Sequence, residues 1–120
     1  MNQKSFLIYG AGAIGNIICY SLLKANQKVY LFCRKDNHKF YKKKGLYLEI
    51  YDNKKFINKI KLNDFKNLII INKLKDIKNK LFAIFITTKI TINVEKTIGD
   101  LNKLIKKNTF LITPCTALPF

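Results

Sequence analysis

Three glycines, Gly10, Gly12 and Gly15, stand between a short apolar run and an amphipathic stretch, and few folds tolerate that spacing in that place. Residues 4–9 (Lys-Ser-Phe-Leu-Ile-Tyr) read as a buried parallel strand ending at the first glycine. Residues 13–25 read as a helix with Ile14, Ile17, Ile18, Leu22 and Ala25 on one stripe. Asn26 follows, one of the few non-glycine residues that accept the left-handed position after a helix. Residues 28–33 (Lys-Val-Tyr-Leu-Phe-Cys) form a second strand, and the whole has the size of one βαβ unit. Each glycine has its own task in such a turn. Gly10 permits the tight exit from the strand, Gly12 keeps a Cβ away from an approaching pyrophosphate, and Gly15 lets the helix pack closely on the sheet. The free N–H groups and partial positive charge of the helix N-terminus complete an anion cradle. Gly10, Ala11, Gly12, Ala13, Ile14 and Gly15 are therefore the expected cofactor contacts.

The residues at the end of the second strand decide which dinucleotide fits. A site selective for NAD places Asp or Glu there to hold the ribose 2′-hydroxyl. This chain has Arg34-Lys35, with Arg34 nineteen residues after Gly15. A carboxylate would repel a 2′-phosphate, whereas a guanidinium pairs with it, so the expected cofactor is NADP(H).

Beyond the first unit, Asp36–Lys44 reads as a short helix before Gly45. Residues 46–51 and 56–62 alternate apolar with polar around an Asp52-Asn53 turn signal, which predicts a hairpin. Leu68–Ile71 is a short strand, and Leu74–Lys78 a short helix. Leu81–Ile86 is a continuous apolar run of strand length, and residues 93–107 carry Val94, Ile98, Leu101 and Ile105 at helical spacing. Phe110–Ile112 is a last strand, stopped by Pro114. The predicted fold is α/β: Rossmann-like, doubly wound, with a mostly parallel sheet covered on both faces and an antiparallel excursion near 46–72.

At 120 residues the chain corresponds to a single dinucleotide-binding domain spanning 1–120. No apolar run approaches the ~18 residues that cross a bilayer, and no signal-peptide pattern opens the chain, so a cytoplasmic setting is expected. Cys19, Cys33 and Cys115 lack metal-ligand spacing and read as reduced thiols; no metal site is expected. The formal net charge of +16 raises nucleic-acid binding as one reading. Against it, Arg34 is the one Arg among 23 cations, and Lys, Asn and Ile make up 53 of the 120 residues. That is a compositional bias spread along the chain, and it gives no sign of a selected basic face. Most Phe and Tyr residues fall at strand core positions, so a base-stacking platform is not expected. His38 lies in a polar segment and reads as a surface residue, and the seven carboxylates show no acid/base pairing.

With the glycines, Arg34 and the run Thr87-Thr88-Lys89 in view, the chain resembles the N-terminal domain of the ketopantoate reductase family. Gly-Ala-Gly-Ala-Ile-Gly at 10–15 is similar to the family's opening, and Arg34 stands where the family commonly places its NADP-selecting Arg. The strand 81–86 running into Thr-Lys, and Gly45-Leu46 ahead of the excursion, are similar too. The resemblance implies NADPH-dependent reduction of 2-dehydropantoate to pantoate, in the route to pantothenate. It implies Thr88 and Lys89 as further cofactor contacts beside the Arg34-Lys35 pair, Lys89 also reaching the substrate. The chain departs from the family after the last strand. Where a Gln-Asn-Gly run is usual, it has Thr113–Phe120, with Thr116 as the nearest polar substitute for substrate binding. The helical C-terminal domain that supplies the family's general acid is expected to be absent, so no catalytic residue is assigned and the 2-oxo acid would bind only with such a domain. A domain of this kind is expected to be truncated, with little or no activity alone. It could instead serve as a stand-alone nucleotide-binding or interaction module, and an uncovered docking face would promote self-association.

Overall fold

The computed structural model describes residues 3–87 and 99–113. Five strands, β1 (Ser5–Tyr9), β2 (Lys28–Phe32), β5 (Leu68–Ile71), β6 (Ala83–Ile86) and β7 (Phe110–Ile112), form one sheet in the order β5-β2-β1-β6-β7. Every pairing within it is parallel. The chain winds outward from β1 through β2 to β5, then crosses back to β6 and β7. The switch point therefore lies between β1 and β6, where ligands bind in open α/β sheets. The excursion is a separate antiparallel ribbon of β3 (Tyr47–Asp52) and β4 (Lys55–Lys61). Two helices, α1 (Ala13–Lys24) and α2 (Lys35–Lys44), follow β1 and β2. The predicted class matches this architecture, and so does an antiparallel excursion, which is confined to the ribbon 47–61 because Leu68–Ile71 already pairs parallel with β2.

The central strands are apolar at successive positions because both faces are covered. Ile8, Val29, Leu31, Cys33 and Ile70 point to one core with Cys19 and Leu23 of α1. Leu7, Tyr30, Ile71, Ile84 and Ile86 point to a second core with Leu81 and Leu101. Complete burial of one such Leu or Ile side chain stabilises by about 1.5–3 kcal/mol.

Several expectations change in the structure. The helix stripe is rotated by one residue: Gly15, Cys19 and Leu23 face the sheet, while Ile14 and Ile17 are exposed. The close approach at Gly15 sets that rotation, overriding the more hydrophobic neighbouring stripe. Leu74–Asp76 is a single 3-10 turn, shorter than the helix expected at 74–78. The helix expected to reach residue 107 ends at Asn102, where Leu104 and Ile105 amides bond back to Leu101 and Asn102 in tighter turns. Strand β6 begins at Ala83, leaving Leu81 and Phe82 ahead of it. All three residues of β7 are exposed, so the sheet is not covered on both faces at that edge.

Asn26 takes φ 61°, and the amides of Asn26 and Gln27 bond to the carbonyls of Leu23 and Leu22, closing α1 in a Schellman motif. Asn63 joins the ribbon to α2: its Oδ1 accepts from the Leu46 amide at 2.6 Å and its Nδ2 donates to the Tyr41 carbonyl at 3.2 Å. His38 is half-buried and contacts the Ile70 carbonyl at 3.2 Å, which occupies an acceptor on the open edge of β5. Cys19 and Cys33 are free and buried, and Cys115 lies outside the described residues. The ribbon departs from expectation in one further respect. Tyr47, Tyr51 and Phe56 are exposed there, so these aromatics are not core residues.

Candidate dinucleotide-binding site

The turn between β1 and α1 is held from both sides. Gly10 has φ 124°, outside the range open to L side chains without strain, and its amide donates to the Phe32 carbonyl at 3.0 Å. Its own carbonyl accepts from Thr87 Oγ1 at 2.9 Å, just past the end of β6. The Thr87 amide in turn donates to the Tyr9 carbonyl at 3.1 Å. The switch-point crevice is thus laced shut at its floor by Thr87.

Gly12 and Gly15 differ in what surrounds them. A Cβ on Gly15 would fall against the Gly10 carbonyl oxygen, 2.8 Å from Thr87 Oγ1 and 3.3 Å from Ile8 Cγ2. Gly15 therefore serves packing. A Cβ on Gly12 would meet nothing within 4 Å, so the space in front of this residue is open. Gly12 is the N-cap of α1, no side chain caps the helix, and no acidic residue occupies its first turn. The first-turn amides of Ala13, Ile14 and Gly15 lack intrahelical acceptors. Open space, free donors and a helix dipole together fit a bound pyrophosphate.

Arg34 and Lys35 are exposed at the start of α2, directly after β2, so both reach the carboxyl edge of the sheet. On the same edge a cleft of about 430 Å³ is walled by Tyr9, Phe32, the segment Asn72–Lys75, Asp100 and Lys103. Tyr9 and Phe32 stack face to face, 4.7 Å apart and 7° from parallel, at paired positions of β1 and β2. Three lysines (Lys73, Lys75 and Lys103) against one carboxylate make the cleft positive. Sequence reasoning missed these residues, and it singled out the run Thr87-Thr88-Lys89 without assigning Thr87 a role of its own. Among 22 lysines nothing in the sequence sets Lys73, Lys75 or Lys103 apart, and only the sheet order brings Lys73 and Lys75 beside β2.

Of the expected site residues, Gly10, Ala11, Gly12, Ala13, Ile14, Gly15, Arg34 and Lys35 gather at the carboxyl ends of β1 and β2. Thr88, Lys89 and Thr116 lie outside the described residues. Burial raises the thiol of Cys33 next to Arg34, and pushes that of Cys19 up to about 12. Neither is primed as a nucleophile. Among the described residues no three His, Cys, Asp or Glu side chains cluster to hold a metal ion, and no helix is long and apolar enough to cross a membrane.

Comparison with known proteins agrees with this geometry. The family model described as "Ketopantoate reductase PanE/ApbA" matches residues 6–114. No curated protein sequence matches the chain. Among solved structures, a D-mandelate dehydrogenase in a ternary complex with NADH and anilino(oxo)acetate superposes with a TM-score of 0.65 at 24% identity. That match covers 91% of this chain and 32% of the other. A diketoreductase acting on dicarbonyl compounds gives a TM-score of 0.64 at 11% identity, covering 98% of this chain and 44% of that one. At such identities the likeness is one of fold, and this chain spans less than half the length of either neighbour.

Proposed function

The chain belongs to the ketopantoate reductase family, and we propose that it is the NADP(H)-binding domain for NADPH-dependent reduction of ketopantoate to pantoate. The observation that carries this reading is the open space at Gly12 directly before an uncapped helix N-terminus. In this reading the backbone from Gly10 to Gly15 holds the pyrophosphate, and Arg34 with Lys35 takes the 2′-phosphate as a charge-assisted pair. The positive cleft beside Tyr9 and Phe32 receives the adenosine end. In the same reading Thr88 and Lys89 are further cofactor contacts, and Lys89 with Thr116 would hold the substrate carboxylate.

Bound NADPH would supply a hydride to the substrate's keto carbon, the new alkoxide taking up a proton. The residues assigned here bind and orient; none is assigned as the proton donor, so the domain by itself is expected to bind cofactor with little turnover. The exposed β7 edge supports a docking face, whether for further chain or for self-association. A cytoplasmic location suits a reductase drawing on NADPH.

Calorimetric titration with NADPH and NADH, in the wild type and in Arg34→Ala, tests the assignment. The wild type should favour NADPH, and the variant should lose most of that preference, roughly 10-fold or more for one charge-assisted phosphate contact. Equal affinity of the wild type for both cofactors would remove the NADP reading. Full turnover of 2-dehydropantoate by the isolated domain would remove the expectation of weak activity.

A further inference from the structure

The β3–β4 ribbon carries a surface that the dinucleotide site does not use. Its register pairs Tyr47 with Lys61, Glu49 with Lys59 and Tyr51 with Phe56. Tyr47, Glu49 and Tyr51 share one face with Lys59 and Lys61, because Leu48 and Ile60 alternate with them and pack on the α1 core, and a register shift between Ile50 and Tyr51 brings Phe56 to that same face against Tyr51. Of the outward aromatics Tyr51 and Phe56 are well exposed, at 56% and 52%, and Tyr47 less so, at 39%. Lys59 Nζ lies 4.4 Å from the Tyr47 ring centroid, and Tyr51 meets Phe56 edge-on at 5.8 Å. Exposed Lys54 and Lys55 form the tip, and Lys42, Lys43 and Lys44 of α2 lead into the base.

We propose that this face binds single-stranded nucleic acid. A compositional excess of Lys accounts for the charge but not for three aromatic rings turned outward among those lysines. Partly exposed rings set among cations, Tyr47 with Lys59 against one face and Tyr51 edge-on to Phe56, leave aromatic surface on which unpaired bases can stack beside a phosphate backbone. Tyr47 and Tyr51 are ~13 Å apart along the strand, so one extended strand can stack at both with its phosphates near Lys59 and Lys61. A duplex hides its base faces and would use the lysines alone. An acidic protein would gain nothing specific from the rings. Glu49 is the one carboxylate among these six residues, and Tyr51 ties it down by donating a hydrogen bond of 2.6 Å.

Fluorescence anisotropy with a labelled oligo(dT) of roughly twenty nucleotides tests the proposal. Binding should weaken steeply between roughly 50 and 200 mM salt, and the same sequence as a duplex should bind several-fold less tightly. The Tyr47→Ala/Tyr51→Ala pair should lose about tenfold or more in affinity, at about one stacked base per ring. Replacing both by Phe should retain binding, which keeps the test informative if the Ala pair fails to fold. Glu49→Gln should tighten binding about twofold, by removing one repelling charge. Equal affinity for duplex and single strand, loss of binding in the Phe pair, or displacement by polyglutamate as effective as by unlabelled oligo(dT) would overturn the proposal. Displacement by NADPH would overturn its placement on the ribbon.

Discussion

Thr87 Oγ1 donates a hydrogen bond of 2.9 Å to the carbonyl oxygen of Gly10, joining the end of β6 to the first glycine of the turn across 77 positions of sequence. The same hydroxyl lies 3.3 Å from the Tyr9 carbonyl. One side chain therefore holds the shape of the cradle without belonging to it.

Thr87→Val keeps the shape and deletes the hydroxyl, so it should cost about 0.5–1.5 kcal/mol in urea unfolding. It should also weaken cofactor binding, because the Gly10 carbonyl loses this anchor. Thr87→Ser should restore both. Cofactor affinity unchanged in Thr87→Val would separate this bond from the geometry of the cradle.

Gly12 and Gly15 should separate binding from folding. Gly12→Ala has open space for its methyl and should change stability by well under 1 kcal/mol, while losing most cofactor affinity. Gly15→Ala puts a methyl against the Gly10 carbonyl and Thr87, and should destabilise by about 1–3 kcal/mol. Thermal melts and cofactor titrations of the two variants check both halves of the statement.

Asn26 occupies a left-handed position that glycine adopts without strain. Asn26→Gly should leave stability level or raise it slightly, and Asn26→Val should lower it by about 1–2 kcal/mol. Equal unfolding midpoints for the two variants would contradict the strain argument.

Cys19 contributes a pH dependence whose sign follows from burial. Its thiol is pushed up to about 12 from an ordinary 9.0, so the folded state retains the proton more strongly than the unfolded chain. Its stabilisation is complete below pH 9.0, and declines as pH rises from there toward 12. Stability should fall as pH rises from about 9 toward 12, and fall less in Cys19→Ala, although that variant is the less stable one near neutral pH. Parallel pH slopes for the two proteins would show that Cys19 is not a source of the loss.

Much of the fold was legible because it rests on local rules. The strand before Gly10, the left-handed Asn26 and the hairpin about Asp52-Asn53 follow from period, turn chemistry and chain direction, and all three stand in the structure. The rotation of α1 was not legible. Hydrophobicity favours a stripe through Ile14 and Ile18, yet the contact of Gly15 with Gly10 and Thr87 turns Cys19 and Leu23 inward.

The candidate site divides in the same way. The sequence by itself determined the glycine turn between β1 and α1, because a strand, three spaced glycines and a helix are contiguous and their geometry is local. It also determined the basic exit of β2 at Arg34. Tertiary structure alone decided that Thr87 clamps the cradle, that Lys73, Lys75 and Lys103 enclose a cleft beside Tyr9 and Phe32, and that Tyr47, Tyr51 and Phe56 face solvent. These depend on which strands are neighbours and which face of a ribbon meets a helix. Such relations arise between segments far apart in the chain, where no local spacing records them.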